Sequence, residues 1–568
     1  MHIMVIKSGN RFLCLLLAFA FAVSCGKSEP VQPSGDDPKP EPQPEPQEVV
    51  VEPEEGSTVY GKIFYGDKGL EGVVVTDGYE VVATDENGIY QLPSEKKNAM
   101  VWISLPSGYR TQNLGIQSLF YKPLSKDAAT AERVDFELFE DGDQTNHKML
   151  FFGDIHLAAR THDRQQFETF AKEVDAYVSA HSGEKMYAIT LGDMTWDQYW
   201  YTNNYYFNNY LEDINANIKS LTVYHTMGNH DHDMKTSVNG SSEGWNAVDW
   251  DCASAYRQAI GPNYFSFNIG RVHYISLDNI YCKNTTGGVA EDRHYEDAVS
   301  DYALAWLRKD MAFVDKSMQI VLTMHAPYTT QEGTLSLNTG ALLTNCFNGF
   351  SKVLFVTGHT HRMSTTERQG IIEHNSGAVC ATWWWGGYYN PTLNIGTDGA
   401  PGGYRVMDFT GADYVSYYKA TGRDENYQFR TYDRNSICID PSKVKYAAQY
   451  KSCLASTGGY GTASTANEVI INVWDWNKNW KVEVTENGKA LAVSQFAGYD
   501  PIFHLAYNDY RYKSTDKPSF KAFKTNHLFK VKASGANSTL EVKVTDDEGR
   551  VYTETMTRPK AFTVDEYK

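Results

Sequence analysis

The sequence predicts a layered α/β domain in the middle of the chain, with a small β-sandwich domain before it and another after it. In the middle, apolar runs of strand length alternate with amphipathic helical segments, which is typical of buried strands in an α/β sheet. On both flanks, short β-branched runs are separated by Asp-Gly or Gly-containing turns, which indicate hairpins. The 568 residues leave room for about three or four domains.

The start of the chain resembles a secretory targeting segment. Basic residues precede an apolar run over residues 12–23, and this run is too short to span a bilayer comfortably. Ala22-Val23-Ser24-Cys25 resembles a bacterial lipobox, in which Cys25 becomes the lipidated first residue; ordinary signal cleavage nearby is the alternative. We predict a lipoprotein signal peptide over residues 1–25 and an exported, membrane-anchored protein, periplasmic or at the cell surface.

Two further segments precede the middle of the chain. Residues 26–56 are rich in Pro, Glu, Asp, Gln and Ser, so they bury too little apolar surface to order themselves and are predicted to form a tether. Residues 57–143 show the hairpin pattern and resemble the carboxypeptidase-regulatory or transthyretin-like accessory domains. We expect this β-sandwich to act as a spacer, with ligand binding as the alternative.

The middle and the end of the chain differ in their patterns. Over residues 147–412, apolar strand-like runs recur, and residues 164–180 place their apolar side chains on one helical face. Over residues 425–568, alternating strands return with a turn at residues 546–549, which predicts a second β-sandwich. We therefore expect the catalytic unit, if there is one, in the middle segment.

Charge and cysteine content narrow the function. A net charge of −18 argues against binding nucleic acid or anionic membrane through a basic face, so we expect no nucleic-acid partner and membrane contact only through the lipid anchor. A phosphorylated substrate remains possible because metal cations can supply positive charge. Six cysteines lie outside the signal, and none forms a Cys-x-x-Cys pair. We expect packing or disulfides, not a thiolate metal site.

Five apolar runs in the middle segment each end in a polar motif. The motifs are Gly153-Asp154-Ile155-His156, Gly192-Asp193-Met194, Gly228-Asn229-His230-Asp231, Met324-His325-Ala326-Pro327 and Gly358-His359-Thr360-His361. Ligands of open α/β sheets bind beyond the carboxyl ends of the strands, so these motifs are expected to meet at one rim. Carboxylate, imidazole and amide oxygen together suit Mn, Fe or Zn better than calcium.

In this order, the motifs D-x-H, G-D, G-N-H-D, H and G-H-x-H resemble the calcineurin-like metallophosphoesterases over about the middle half of the chain. The resemblance implies a β-sandwich flanked by helices and a phosphate ester hydrolase that uses a hydroxide held between two divalent metal ions. It assigns His230 to the leaving group as general acid, and Asp193 as the bridging ligand. It places Asp154, His156 and His361 on the first metal and Asn229, His325 and His359 on the second.

Two departures from the family's branches stand out. The phosphoprotein phosphatases carry an Asp three residues after the bridging one, where this chain has Trp196, with Asp197 one residue later. The partner that orients His230 is therefore open, and a Ser/Thr protein phosphatase is disfavoured. The purple acid phosphatases use a tyrosine near the first motif, where this chain has His156.

The substrate is less well defined. Trp383, Trp384 and Trp385 are consecutive, and their side chains alternate if the segment is extended. They form either a wall of the substrate cleft or a packing contact between domains. The expected substrate is a small-molecule, glycan or lipid phosphate ester, either a diester or a monoester. The alternative is a non-catalytic glycan-binding surface lipoprotein with a relic metal site.

Overall fold

The computed structural model describes residues 50–233, 249–282, 295–380 and 394–567. Cys25, the signal peptide, nearly all of the predicted tether and the three tryptophans at 383–385 lie outside the described residues. The described part from Val51 onwards forms one compact unit. The predicted domain boundaries stay predictions.

Two sheets form the centre of this unit, and the first has five strands. Their spatial order is Thr222–Thr226, Lys185–Leu191, Asn146–Phe152, Gly403–Thr410 and Asp413–Ala420. The first three strands are parallel, while Gly403–Thr410 and Asp413–Ala420 are antiparallel to their neighbours. The three parallel strands carry three of the five predicted motifs at their carboxyl ends.

The second sheet has six strands. Their spatial order is Phe265–Ile269, Val272–Ser276, Gln319–Thr323, Val353–Thr357, Ile371–Asn375 and Ser364–Arg368. The four inner strands run parallel to one another, and the two outer strands are antiparallel to their neighbours. Gln319–Thr323 and Val353–Thr357 carry the two remaining motifs.

The two sheets pack face to face and alternate their side chains between two cores. In the strand Asn146–Phe152, Met149 and Phe151 join the core between the sheets, whereas Leu150 and Phe152 face outwards against a helix. This is the period of two that a strand imposes. The covering helix spans Asp163–Ala180 and buries Phe167, Phe170 and Val174. The layered α/β prediction is therefore confirmed.

Shorter helices complete the central unit. They span Asp197–Asn203, Phe207–Asn217, Asp249–Cys252, Ser254–Ala259, Asp301–Asp310 and Gly340–Asn345. The helix Asp301–Asp310 begins at Ser300, whose side chain accepts a hydrogen bond from the Ala303 N–H. Such an N-cap stabilises the first turn. Among the helices that the structure describes, none is both long and apolar enough to cross a bilayer.

The amino-terminal β-rich domain is built from two main sheets. One surrounds Val59–Tyr65 and includes Lys68–Gly69, Ile89–Leu92, Glu132–Arg133 and Phe136–Glu137. The other runs in the order Tyr121–Pro123, Met100–Ser104, Val74–Thr76 and Val81–Ala83. Two short antiparallel pairs complete the domain, Tyr109–Arg110 with Phe139–Glu140 and the hairpin of Asn113–Leu114 with Gln117–Ser118.

This domain shares its apolar core with the second central sheet. Trp102 packs edge-on against Tyr264, with ring centroids 5.8 Å apart, and both belong to one continuous buried cluster. The Leu105 carbonyl accepts a hydrogen bond of 2.8 Å from the Asn268 N–H. A mere spacer would not need this shared core, so the domain is an integral part of the central fold.

The carboxy-terminal domain is a sandwich of two four-stranded sheets. The first runs in the order Arg430–Asp433, Glu468–Asn472, Lys524–Lys532 and Val493–Tyr499, and the second in the order Lys489–Ala490, Lys481–Glu486, Thr539–Thr545 and Val551–Thr557. Val469 and Ile471 of one sheet meet Val542 and Val544 of the other in a common core. Helix Ala447–Ser456 and a π-helical turn at His504–Asn508 lie outside the sandwich strands.

A buried ion pair joins the first central sheet to this sandwich. The Arg405 guanidinium donates to both carboxylate oxygens of Asp475, at 3.0 and 2.6 Å. Both side chains are nearly inaccessible to solvent. A second link, from Lys478 to Glu367 at 2.7 Å, is exposed. The two links join different central sheets to the same carboxy-terminal segment, and they differ in burial.

We expect Arg405→Ala to lower the free energy of unfolding by about 3–5 kcal/mol, because it leaves the Asp475 carboxylate buried without a partner. Lys478→Ala is the control, and an exposed pair contributes only about 0–1 kcal/mol. Urea unfolding followed by tryptophan fluorescence measures both. Equal losses in the two variants would show that the buried pair contributes no more than the exposed one.

Candidate metal centre

The five motifs converge at one rim of the two packed sheets. Each motif begins within three residues of the carboxyl end of its parallel strand. The seven predicted ligands and His230 lie together there, as expected from the rule for strand ends. Six of the seven are buried, and His359 is half-buried.

The first group of donor atoms contains Asp154, His156, Asp193 and His361. The Nε2 atoms of His156 and His361 are 3.1 Å apart. His361 Nε2 lies 3.0 Å from an Asp154 oxygen, and His156 Nε2 lies 3.4 Å from Asp193 Oδ2. Two ligand atoms about 2.1 Å from one ion, at angles near 90–110°, lie about 3.0–3.4 Å apart. These spacings therefore fit the shell of a single ion.

The second group contains Asp193, Asn229, His325 and His359. His325 Nε2 lies 3.0 Å from Asn229 Oδ1, 3.1 Å from Asp193 Oδ2 and 3.1 Å from His359 Nδ1. Asp193 Oδ2 thus stands within 3.4 Å of donor atoms from both groups. The division of the ligands into two sets around Asp193 is the one that the sequence resemblance implies.

Hydrogen bonding fixes the tautomer of His325. Its Nδ1 lies 2.7 Å from the Leu191 carbonyl oxygen, which can only accept. Nδ1 therefore carries the hydrogen, and in the neutral ring Nε2 presents a lone pair. Burial would lower the pKa of His325, but the Asp193 carboxylate raises it to about 9, so a metal ion that binds Nε2 takes the place of a proton. Nε2 faces an amide oxygen and a carboxylate oxygen, which are acceptors as well. A cation among them satisfies all three atoms, so the residues fit a metal ion.

The charges of the site also suit cations. Burial alone would raise the pKa of Asp193, yet the neighbouring histidines, with His325 the largest contributor, hold that pKa well below its ordinary value. Burial lowers the pKa of His156, and burial with the neighbouring His325 lowers the pKa of His359 to about 3. At neutral pH these two imidazoles are uncharged and the carboxylate is charged, as metal ligands are, whereas His325 must lose a proton when it binds a metal ion.

The backbone at the ligands is unusual. Asp154, His156, Asp193, His359 and His361 all have φ between 51° and 67°, in the left-handed region. Non-glycine residues adopt this region rarely and at a cost of order 1–3 kcal/mol each. Five of the seven predicted ligands therefore hold a disfavoured backbone conformation, which the surrounding strands enforce. This conformation turns the ligand side chains of one motif towards the metal centre.

Two glycines beside the ligands serve different purposes. Gly192 has φ of +88° and approaches the His325 ring, since a Cβ there would lie 2.5 Å from Nδ1. Gly358 has no such φ, but a Cβ there would lie 2.7 Å from an Asp154 carboxylate oxygen. The first glycine permits the turn, and the second permits the close approach of two motifs.

The partner of His230 is Asp197. His230 Nδ1 lies 2.8 Å from Asp197 Oδ1, and both side chains are buried. Asp197 begins the helix Asp197–Asn203, so its carboxylate reaches the histidine although the family's usual position holds Trp196. The His230 N–H also donates to Asp193 Oδ1 at 2.7 Å. The sequence alone did not identify this partner, because Asp197 lies one residue beyond the position at which the phosphoprotein phosphatases carry their aspartate.

Two polar residues that carried no predicted role hold the motifs together. Asp231 accepts hydrogen bonds from the backbone N–H groups of Met194, Thr195 and Gly228, which ties the second motif to the third. Asn279 Oδ1 accepts from the N–H groups of His325 and Ala326 at 3.1 and 3.0 Å. Asp231 belongs to one of the five predicted motifs, whereas no pattern in the sequence pointed to Asn279.

Trp196 lies against the histidines of the site. Its ring centroid is 5.5 Å from that of His156 and 5.6 Å from that of His230, and the Arg160 guanidinium stacks on it at 4.2 Å. The aromatic residues that follow it, such as Trp200 and Phe207, are buried in the core under the first sheet. Trp196 thus packs behind the reactive histidines instead of forming a lid.

A cavity of about 270 Å³ opens onto the two donor groups. Besides five of the seven predicted ligands and His230, it is lined by Gln198, Tyr295, Thr360, Thr397 and Phe520. Thr397 lies between the strands Ile371–Asn375 and Gly403–Thr410, and Phe520 lies in the carboxy-terminal domain, so the later part of the chain contributes to the rim. The tryptophans at 383–385, predicted as a possible cleft wall, fall outside the described residues.

Three family descriptions match the chain in sequence. Residues 147–363 match the calcineurin-like phosphoesterase, residues 57–141 match its N terminal region and residues 373–552 match its C terminal region. This chain belongs to the calcineurin-like phosphoesterases. It is therefore a phosphoesterase, a hydrolase of phosphate esters that depends on divalent metal ions, and its β-rich flanks are parts of the family architecture.

Solved structures show weaker likeness. GAP50, the anchor in the inner membrane complex of Plasmodium, is 11% identical with a TM-score of 0.30, over 49% of this chain and 85% of its own. The 5′-nucleotidase of Candida albicans SC5314 is 11% identical with a TM-score of 0.30, over 49% and 52%. The phosphopantetheinyl hydrolase of Mycobacterium tuberculosis is 13% identical with a TM-score of 0.23, over 41% and 91%. No curated protein matches the chain.

Proposed function

We propose that this phosphoesterase hydrolyses phosphodiesters or phosphomonoesters of small molecules at a dinuclear metal centre. The observation that supports this is the convergence of two donor groups that share Asp193 Oδ2. A relic site in a non-catalytic glycan-binding lipoprotein, the alternative, has no physical reason to retain a complete donor set and His230 with its carboxylate partner. The family of the chain also favours the enzyme.

Seven side chains would hold the two ions. Asp154, His156 and His361 surround the first and Asn229, His325 and His359 the second, with Asp193 between them. Nitrogen and oxygen donors without sulfur suit Mn, Fe or Zn. When bound, divalent ions lower the proton affinity of water and polarise phosphoryl oxygens. The strained, buried loops keep the donors in place, so little reorganisation is needed.

We infer that His230 is the general acid. Asp197 accepts a hydrogen bond from its Nδ1, which leaves Nε2 as the nitrogen that can give a proton to the departing alkoxide. The carboxylate also stabilises the protonated ring and fixes its orientation. The side chain lines the cavity at the donor groups, where a substrate oxygen can reach it.

Asp193→Asn is expected to lose metal and activity together, because the shared donor loses its charge. Bis(4-nitrophenyl) phosphate and 4-nitrophenyl phosphate, assayed with added Mn²⁺, measure activity, and elemental analysis measures metal. Glu212→Gln, an exposed change on another helix, is the control. Full metal content with full turnover in Asp193→Asn would contradict the shared role, and the ratio of the two rates separates diesterase from monoesterase.

His230→Ala is expected to slow an alkyl phosphate ester, whose leaving group is poor, by about 10²–10⁴-fold, the usual contribution of a general acid. A nitrophenyl ester, whose leaving group needs little protonation, should slow much less. Asp197→Asn should show the same dependence on the leaving group with a smaller loss. His162→Ala, an exposed histidine, is the control. Unchanged metal content with full rate on the alkyl ester would contradict the assignment.

We also propose that the enzyme is exported and anchored through a lipid on Cys25. Support comes only from the sequence of the leader and of the acidic, proline-rich segment after it. Cells fed radiolabelled palmitate should label the wild-type protein, and Cys25→Ala should abolish the label. Ser34→Ala, in the predicted tether, is the control. An unlabelled wild-type protein would contradict the anchor.

A further inference from the structure

A third group of potential metal ligands lies apart from the catalytic donors. One ligand atom each from His232, Asp249 and Cys282 lies within 4.8 Å of the others. All three residues are buried, with exposed fractions of 0%, 8% and 2%. The group shares no residue with the two catalytic groups. Its members come from three separate segments of the sequence, so no short sequence motif predicts the group.

The tautomer of His232 makes Nε2 the nitrogen that can bind a cation. Its Nδ1 lies 2.8 Å from the Gly228 carbonyl oxygen, an acceptor, so Nδ1 carries a hydrogen. Nε2 faces an Asp278 carboxylate oxygen at 3.2 Å. Burial would lower the pKa of His232, but Asp278 raises it to about 10, so a metal ion that binds Nε2 must displace a proton. A backbone carbonyl behind Nδ1 is the usual outer-shell partner of a metal-binding histidine.

The carboxylates of this region are held in fixed positions. The Cys282 N–H donates to Asp249 Oδ1 at 2.8 Å, and the Tyr302 hydroxyl donates to Oδ2 at 2.9 Å. Asp278 accepts from Asn263 Nδ2 and from the Ile280 N–H. Each oxygen keeps a further lone pair for a cation. Ligating carboxylates are commonly fixed in this way by outer-shell donors.

Basic side chains offset the charge of the region only in part, since Arg257 interacts with Asp278 and Asp249 from a distance. Among the described residues, neither Asp249 nor Asp278 forms a salt bridge with a Lys or an Arg. Burial and the neighbouring Asp278 raise the pKa of Asp249 to about 6. Two buried carboxylates thus face one imidazole, and an imidazolium offsets only one of the two charges.

Sulfur completes the donor set. Cys282 and Cys252 pack against each other in a small buried cluster, and neither forms a disulfide in the structure. Contact with Cys252 and burial raise the pKa of the Cys282 thiol, so a cation bound there must displace its proton. Zinc accepts a thiolate, an imidazole and a carboxylate as ligands, and Cys252 or a water would be the fourth.

We propose that His232, Asp249 and Cys282 bind a third divalent metal ion, with zinc as the best fit to this set. His232 follows the Asn229–Asp231 turn directly, and Asp278 precedes Asn279, which holds the backbone of His325. An ion bound here would stabilise both the loop of Asn229 and the loop of His325, on the side away from the cavity. Its role is structural, since the group does not line the cavity at the catalytic donors.

The test is the absorption spectrum of the full chain produced in cobalt-supplemented medium. Cobalt bound by Cys282 gives a sulfur-to-cobalt charge-transfer band in the near ultraviolet. The catalytic ligands include no sulfur, so they cannot produce this band. We expect the band in the wild type, its loss with one metal equivalent in Cys282→Ala, and its retention in Asp193→Asn and in Cys346→Ala, a buried cysteine elsewhere.

The outcomes separate this proposal from the catalytic one. A wild-type protein without the band overturns the third site, whether alkylation and mass spectrometry then find a Cys252–Cys282 disulfide or two free thiols. Should Cys282→Ala fail to fold, the wild-type spectrum and His232→Gln still decide. A charge-transfer band in an inactive protein would support this site while contradicting the proposed function.

Discussion

The convergence of acceptor atoms around Asp193 is the constraint on which the rest of the centre depends. Its Oδ2 faces His156 and His325, and its Oδ1 receives the His230 N–H. Atoms that carry lone pairs repel one another in a buried site unless a cation or a proton lies between them. The left-handed turns, the close glycines and the Asp231 bonds all serve to hold these atoms in an arrangement that favours a bound cation.

Much of this arrangement could be predicted from the sequence. The motifs follow runs of apolar residues, and strand ends of parallel sheets meet at one edge, so the five motifs could be placed together although they lie in distant parts of the chain. The assignment of Asp154 and His361 to one metal came from the family resemblance. The helix predicted over residues 164–180 is observed at Asp163–Ala180. Periodicity and strand-end geometry are local rules that tertiary packing rarely overrides.

Other features could not be predicted, for physical reasons. The pairing of Asp197 with His230 depends on where a helix begins, and a one-residue change of spacing hides it. The left-handed φ of Asp193 is held by the surrounding structure, which no local pattern of the sequence shows. The proposed site at His232, Asp249 and Cys282 was not foreseen, because the expectation against a thiolate metal site rested on the absence of a Cys-x-x-Cys pair and took no account of donors from separate segments.

The shared core under Trp102 and Tyr264 has a consequence for the history of this architecture. Because the amino-terminal β-domain fills part of the same apolar interior as the second central sheet, the two cannot be shuffled independently by recombination. Exchange of that domain between relatives would need compensating substitutions where the two segments share their core. We therefore expect the two segments to be inherited together, with core substitutions in one matched by core substitutions in the other.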